Sequence, residues 1–388
     1  MSTPAIDMPD FNAMRDSDFR TLVRDFVAQH YPDIPRHAQR RLHWDEVRPW
    51  YLILSQHGWI CPTWPRDVGG MGLSAGKHLI LIEEFERFGC ARVNDIGPVM
   101  LGPLLLKHGT EAQRDRFLPA ILSGDHIWAQ GYSEPGAGSD LAAVRCEAVR
   151  DGDDWVINGQ KTWTTLGMDA NWIFILARTD KTVKKQAGIS FLLVPMDAKG
   201  VSVRPIRNLE LHEELCEVFF DDVRVPADHI VGEVNGGWSV AKALLGHERV
   251  FIGAPRLSAS AMTRLRRVAE RAGLWQDAGF RERYAGLLCD LHDLGDLFEL
   301  YVDKLRSGAP IGADVAMLKI FQSELYQRIS EEMMEVAGEE AGLRDPAEGD
   351  PQLHAAGTYL AARPTTIFGG STEIMRNMLA KAVLDLPV

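Results

Sequence analysis

The chain changes its hydrophobic period twice, and that double change restricts the folds open to it. Up to about residue 125, apolar residues recur at helical spacing, as in FRTLVRDFVAQH, EVRPWYLILSQHG and GKHLILIEEFERFG. From about His126 to Asn235, shorter runs such as GISFLLVPM and CEVFFDDVRVP read as strands. Beyond Gly236-Gly237 the helical period returns and persists to Leu386, with breaks at SGAPIG, EGDP and ARPTTIFGGS. This order predicts an α+β protein with three domains: a helical one at 1–125, a β-domain at 126–235 and a helical bundle at 236–388. The Pro- and Gly-rich TWPRDVGGMGLS, Thr63 to Ser74, predicts a loop. WVINGQKTW predicts a hairpin turning at Asn158-Gly159, since both residues tolerate the positive φ of a type I′ turn.

Composition narrows the function classes. At 388 residues, 46% hydrophobic and 25% charged, the chain has the material for an ordinary globular core. A net charge of -12 argues against a nucleic-acid partner, which would need clustered Lys and Arg. The one basic cluster, RLRRVAERA, reads as a solvated helix face. The five cysteines form no C-x-x-C pair, so no metal site is expected, and they suit a reducing compartment. No signal peptide is visible in the acidic N-terminal segment, and no stretch approaches the ~20 apolar residues of a membrane span. A cytoplasmic protein is expected.

Three segments carry chemistry. The first, YSEPGAGSD (Tyr132 to Asp140), is a Gly/Pro loop with two serine hydroxyls that can approach a planar group closely. The second, GQKTWTT (Gly159 to Thr165), alternates so that Lys161, Trp163 and Thr165 share one strand face, with Thr162 and Thr164 on the other. The third is IFGGSTEIMRN (Ile367 to Asn377), in which Ser371-Thr372 can cap a helix whose N-terminal end favours an electron-rich partner.

SEPGAGSDL, INGQKTWTT, FFDDVRVP and IFGGSTEIMRN stand in the order and spacing of the acyl-CoA dehydrogenase family, which the chain resembles over nearly its whole length. The resemblance implies a helical N-terminal domain, a central β-domain and a C-terminal four-helix bundle. It implies FAD as cofactor, with Tyr132, Ser133, Trp163, Thr165, Arg271, Ser371 and Glu373 contacting it. Ser139, Arg249 and Gly370 would meet the acyl-CoA substrate. Electron-transfer flavoprotein is the implied acceptor, and a dimer or tetramer, homomeric or completed by a related chain, the implied assembly. Two departures stand out. ERAGLWQDAGF keeps only Arg271 of the segment that reaches a neighbouring subunit's FAD pyrophosphate, and EVAGEEAG replaces the Gly-rich adenine-end stretch. Such erosion resembles relatives acting on dicarboxylyl-CoA or steroid side-chain CoA esters, some of them two-subunit α2β2 enzymes.

The reaction requires a base at the substrate α-carbon. Many family members carry a glutamate where this chain has Gly369, which keeps only its backbone N–H to polarise the thioester. On SVAKALLGHERVFIG, the residues Ala241, Leu244, Leu245, Glu248 and Ile252 form one apolar helical stripe, which places Glu248 on a buried face. Isovaleryl- and long-chain-type relatives carry their base at the matching position, so Glu248 is the expected base. His247, one residue earlier, points about 100° away. Glu373 is the weaker candidate, because a helix first turn lowers a carboxylate's pKa. The expected activity is FAD-dependent α,β-dehydrogenation of an acyl-CoA to a trans-2-enoyl-CoA. The alternatives are a non-catalytic or half-site subunit of an α2β2 dehydrogenase, or an oxygen-using acyl-CoA oxidase or flavin monooxygenase of the same fold.

Overall fold

The computed structural model describes residues 8–387, apart from the side chains at 243–249, 251 and 351. It divides into two compact units, Met1–Leu244 and Leu245–Val388.

The first unit opens with five helices: α1 (Asp16–His30), α2 (Trp44–Gln56), α3 (Ala75–Phe88), α4 (Gly102–His108) and α5 (Glu111–Ser123). Their ends carry the expected local chemistry. Ser74 caps α3 by accepting from the Lys77 N–H, and Gly89 ends that helix at φ +86°. Thr110 and Gln113 form a capping box at α5. The helices bury Phe19, Trp50, Tyr51 and Phe117, and Phe26 stacks on Trp59 at 4.0 Å. The 63–74 segment is a loop with one 3₁₀ turn at Arg66–Val68, as predicted.

Seven strands follow: β1 (Trp128–Gly131), β2 (Glu147–Asp151), β3 (Asp154–Thr165), β4 (Trp172–Arg178), β5 (Ile189–Pro195), β6 (Val201–Ile206) and β7 (Leu215–Pro226). They form one sheet in the order β1-β4-β2-β3-β7-β6, with β5 paired to β4. β4 and β5 are buried almost throughout, which explains why they read as continuous apolar runs.

The hairpin turns elsewhere than the sequence predicts. β2 and β3 join at Gly152, φ +61°, where Asp151 pairs with Asp154. Asn158 and Gly159 lie inside β3, at a register shift against β7, which pairs with β3 on both sides of them. A Cβ on Gly159 would stand 2.7 Å from the Cys146 Cα, so close backbone approach, not a turn, requires the glycine. Asn158 exchanges hydrogen bonds of 2.9 Å with Asp222 across the shift. Local turn chemistry was overruled by strand pairing.

Helix α6 (Gly237–Ile252) runs through the division between the units. The second unit contains α7 (Arg256–Arg271), α8 (Ala278–Arg306), α9 (Ala316–Ala337), α10 (Ala355–Ala362) and α11 (Thr372–Ala382). The other four pack on α9, whose Leu318, Leu325, Ile329 and Met333 are fully buried. Three of the four breaks between these helices fall at the segments the sequence marks; the break between α7 and α8, with a 3₁₀ turn at Leu274–Gln276, is not among them.

Candidate active site

Within the first unit, the segments 132–140 and 159–165 are held side by side. The Ser133 carbonyl accepts from the Thr162 N–H at 2.9 Å, which ties the 132–140 loop to β3. Glu134 and Ala137 exchange backbone hydrogen bonds of 3.1 and 3.0 Å, so the loop is a tight turn. Tyr132 is buried, Ser133 half-buried and Ser139 exposed.

The expected single face of Lys161, Trp163 and Thr165 does not exist. Between Lys161 and Thr164 the register against β7 shifts, and Trp163 takes φ +60° there. The bulge turns the indole outward, leaving Trp163 59% exposed while Lys161 is fully buried. Period-2 alternation fails because a bulge adds one residue to one strand. A large aromatic in a left-handed conformation is unusual and costs backbone energy.

The second unit supplies the other motif. Ile367 and Phe368 are largely exposed, and Gly369 and Gly370 follow at φ +66° and +90°. A Cβ on Gly369 would stand 3.0 Å from the Ile252 Cδ1. The Ser371 hydroxyl caps α11 by accepting from the Ile374 N–H at 3.4 Å. Glu373 is exposed, and its carboxyl is held below the usual range by its own backbone N–H and the Ser371 hydroxyl. That is the wrong direction for a base.

Arg271 is already engaged. Its Nε and Nη2 meet Glu340 at 3.1 and 3.0 Å, and its Nη1 contacts Glu348. Glu340 lies in EVAGEEAG, the stretch that replaces the family's adenine-end motif, and Glu348 in the EGDP break that follows it. The side chains of Glu248 and Arg249 lie outside the described residues.

Sequence reasoning missed two buried cations. Lys161 forms an ion pair with Glu134 of the 132–140 loop at 2.7 Å. Its only signal was a lysine inside an apolar strand. Lys319 on α9 is buried with no hydrogen-bond partner for its ammonium among the described residues, and burial pulls its pKa down to about 8. A shallow cavity of about 380 Å³ in the first unit is lined by Arg40, Arg41 and His43, which are paired to Glu46, Asp95 and Asp169 respectively. Among the described residues no group of three or more His, Cys, Asp or Glu could hold a metal, and no helix is long and apolar enough to cross a membrane.

In the first unit an outward indole stands beside a rigid serine loop, which suits a planar cofactor. In the second, taken alone, a glycine pair leads into a capped helix N-terminus, which suits an electron-rich group. The family models agree. The N-terminal, middle and C-terminal domains of acyl-CoA dehydrogenase match residues 15–125, 129–223 and 235–384. The chain belongs to the acyl-CoA dehydrogenase family, FAD flavoenzymes that act on the CH–CH bond of acyl-CoA thioesters. It is 39% identical over 346 residues to acyl-CoA dehydrogenase IpdE1 of Mycobacterium tuberculosis, covering 88% of this chain and 89% of that protein. Among solved structures it resembles the Tcur3481-Tcur3483 steroid ACAD, with TM-score 0.87 and 30% identity over 96% of this chain and 97% of that one. It also resembles the ChsE4-ChsE5 complex of Mycobacterium tuberculosis, with TM-score 0.80 and 31% identity over 97% of this chain and all of that one.

Proposed function

We propose that this chain is the base-bearing subunit of a dehydrogenase that forms trans-2-enoyl-CoA, with Glu248 removing the substrate α-proton. The observation that carries this reading is Gly369. Its φ of +66° and the nearby Ile252 leave that loop position unsuited to a side chain, so the base must stand elsewhere. Helix α6 is the place the sequence offers, where Ala241, two turns before Glu248, is fully buried. FAD, when bound, accepts the hydride from the substrate β-carbon. Tyr132, Ser133, Trp163 and Thr165 would hold its flavin end, with Ser371 and Glu373 from the C-terminal loop. The Gly369 N–H would donate to the thioester oxygen, and Ser139, Gly370 and Arg249 would seat the CoA ester.

The engaged Arg271 supports an assembly in which a related chain completes the adenine end of the cofactor site. An acyl group carried on a steroid-derived ring system is the substrate class that the similar solved assembly suggests. The three domain limits, a cytoplasmic location and an electron-transfer flavoprotein acceptor belong to the same reading. Glu248→Gln keeps the shape of the side chain and removes its proton affinity. Flavin should stay bound, while its anaerobic bleaching by substrate slows by roughly 10²–10⁴-fold. Bleaching at the wild-type rate would place the base elsewhere, on Glu373 or on a residue of a partner chain. A panel of straight, branched, dicarboxylyl and steroidal CoA esters in the same assay identifies the acyl class.

A further inference from the structure

The Glu134–Lys161 pair does more than fill the core, because one ammonium ties together segments far apart in sequence. Lys161 Nζ donates to Glu134 Oε1 at 2.7 Å, to the Leu176 carbonyl at 2.7 Å and to the Tyr132 carbonyl at 3.2 Å. These bonds use all three ammonium hydrogens. Glu134 in turn accepts from the Arg145 N–H at 2.6 Å and the Cys146 N–H at 3.0 Å. The loop, β4, the residues just before β2, and β3 therefore meet at one buried ion pair, with Lys161 fully buried and Glu134 only 7% exposed. Gly131 leaves room for the lysine stem and two isoleucines: a Cβ there would lie 2.8 Å from the Ile173 Cδ1, 2.9 Å from the Ile175 Cγ2 and 3.2 Å from the Lys161 Cγ.

We propose that Glu134 and Lys161 are positioning residues that set the flavin-facing geometry, fixing Tyr132-Ser133 on one side and the outward Trp163 bulge on the other before any cofactor arrives. This rests on the reading that FAD binds there. The bulge begins at the residue after Lys161, so the ammonium fixes the last regular position of β3 before the chain turns Trp163 outward. Stability alone does not call for such a pair. Apolar residues of similar volume often replace a buried ion pair without loss, whereas removing one partner strands a buried charge. What an apolar pair cannot supply is directed bonds to the Tyr132 and Leu176 carbonyls.

The test uses the full chain purified with its flavin. Lys161→Met alone should lower the melting temperature, because it strands the Glu134 carboxylate. Glu134→Gln/Lys161→Met should recover most of that loss, yet bind FAD about tenfold or more weakly, the effect of one or two lost positioning bonds. The double variant should also show a shifted flavin absorption band. Wild-type FAD affinity and spectrum in a stably folded double variant would overturn the proposal. Should the double variant fail to fold, hydrogen exchange on the flavin-stripped wild-type chain decides. Segments 132–137 and 160–165 should be protected without FAD, and free exchange there would overturn preorganisation. A wild-type chain that protects these segments, but binds no flavin even when assembled with its partner chain, would instead refute the cofactor reading.

Discussion

Lys161 and Trp163 stand two residues apart on one strand, yet the first is fully buried and the second 59% exposed. Regular alternation would give them the same face. The bulge at Thr162-Trp163 separates their roles, giving the core a cation and the surface an indole.

Because the indole contacts solvent in this chain, Trp163→Ala should change the stability of the flavin-free protein by no more than about 0.5 kcal/mol. FAD affinity should fall by roughly tenfold, since an aromatic contact contributes about 0.5–1.5 kcal/mol beyond buried area. Flavin titration and melting on the same preparation check both. Unchanged affinity would remove Trp163 from the cofactor site.

Gly369 tests backbone strain. A non-glycine residue in its left-handed conformation costs roughly 1–2 kcal/mol, and the Ile252 contact at 3.0 Å adds to that for any side chain. Gly369→Ala should therefore destabilise the protein in denaturant unfolding. Gly369→Asn should be gentler on the backbone than Gly369→Val, because Asn visits this region readily. An alanine variant as stable as wild type would show that the loop relaxes freely.

Arg271 tests the half-site. Glu340 and Glu348 already neutralise it, so Arg271→Gln should leave FAD affinity close to wild type. Glu340→Gln/Glu348→Gln should release the guanidinium and strengthen adenine-nucleotide binding, read by calorimetry. A large loss of FAD on Arg271→Gln would mean the arginine leaves its carboxylates for the pyrophosphate.

Glu84 supplies a pH dependence. Its burial favours the neutral form, but hydrogen bonds from Arg24, Arg87 and Arg20 outweigh that and bring its pKa down to about 2, from 4.5. A depressed carboxylate contributes stability that is present above the unfolded pKa and lost as pH falls through the folded one. Wild type should lose melting temperature between pH 4.5 and about 2 more steeply than Glu84→Gln. Parallel curves for the two would show that the arginine cluster contributes nothing there.

The helical and β regions were legible in the sequence because burial of an apolar face imposes its period on the residues that form it, as in α1, α3 and β5. The two Gly- and Ser-rich segments, 132–140 and 367–377, were legible as well, since loops and caps write their needs locally in Gly, Pro and Ser. The turn predicted at Asn158-Gly159 was not, because Gly159 answers to the Cys146 backbone, a partner more than ten residues away in sequence. Local propensity, period and composition are properties of neighbouring residues, so the sequence by itself determined the order of the helical and β regions and the family. Which residue faces a cofactor and which the core was decided by contacts between distant segments. Only tertiary structure brought Glu134 to Lys161, turned Trp163 outward and closed Arg271 between two carboxylates.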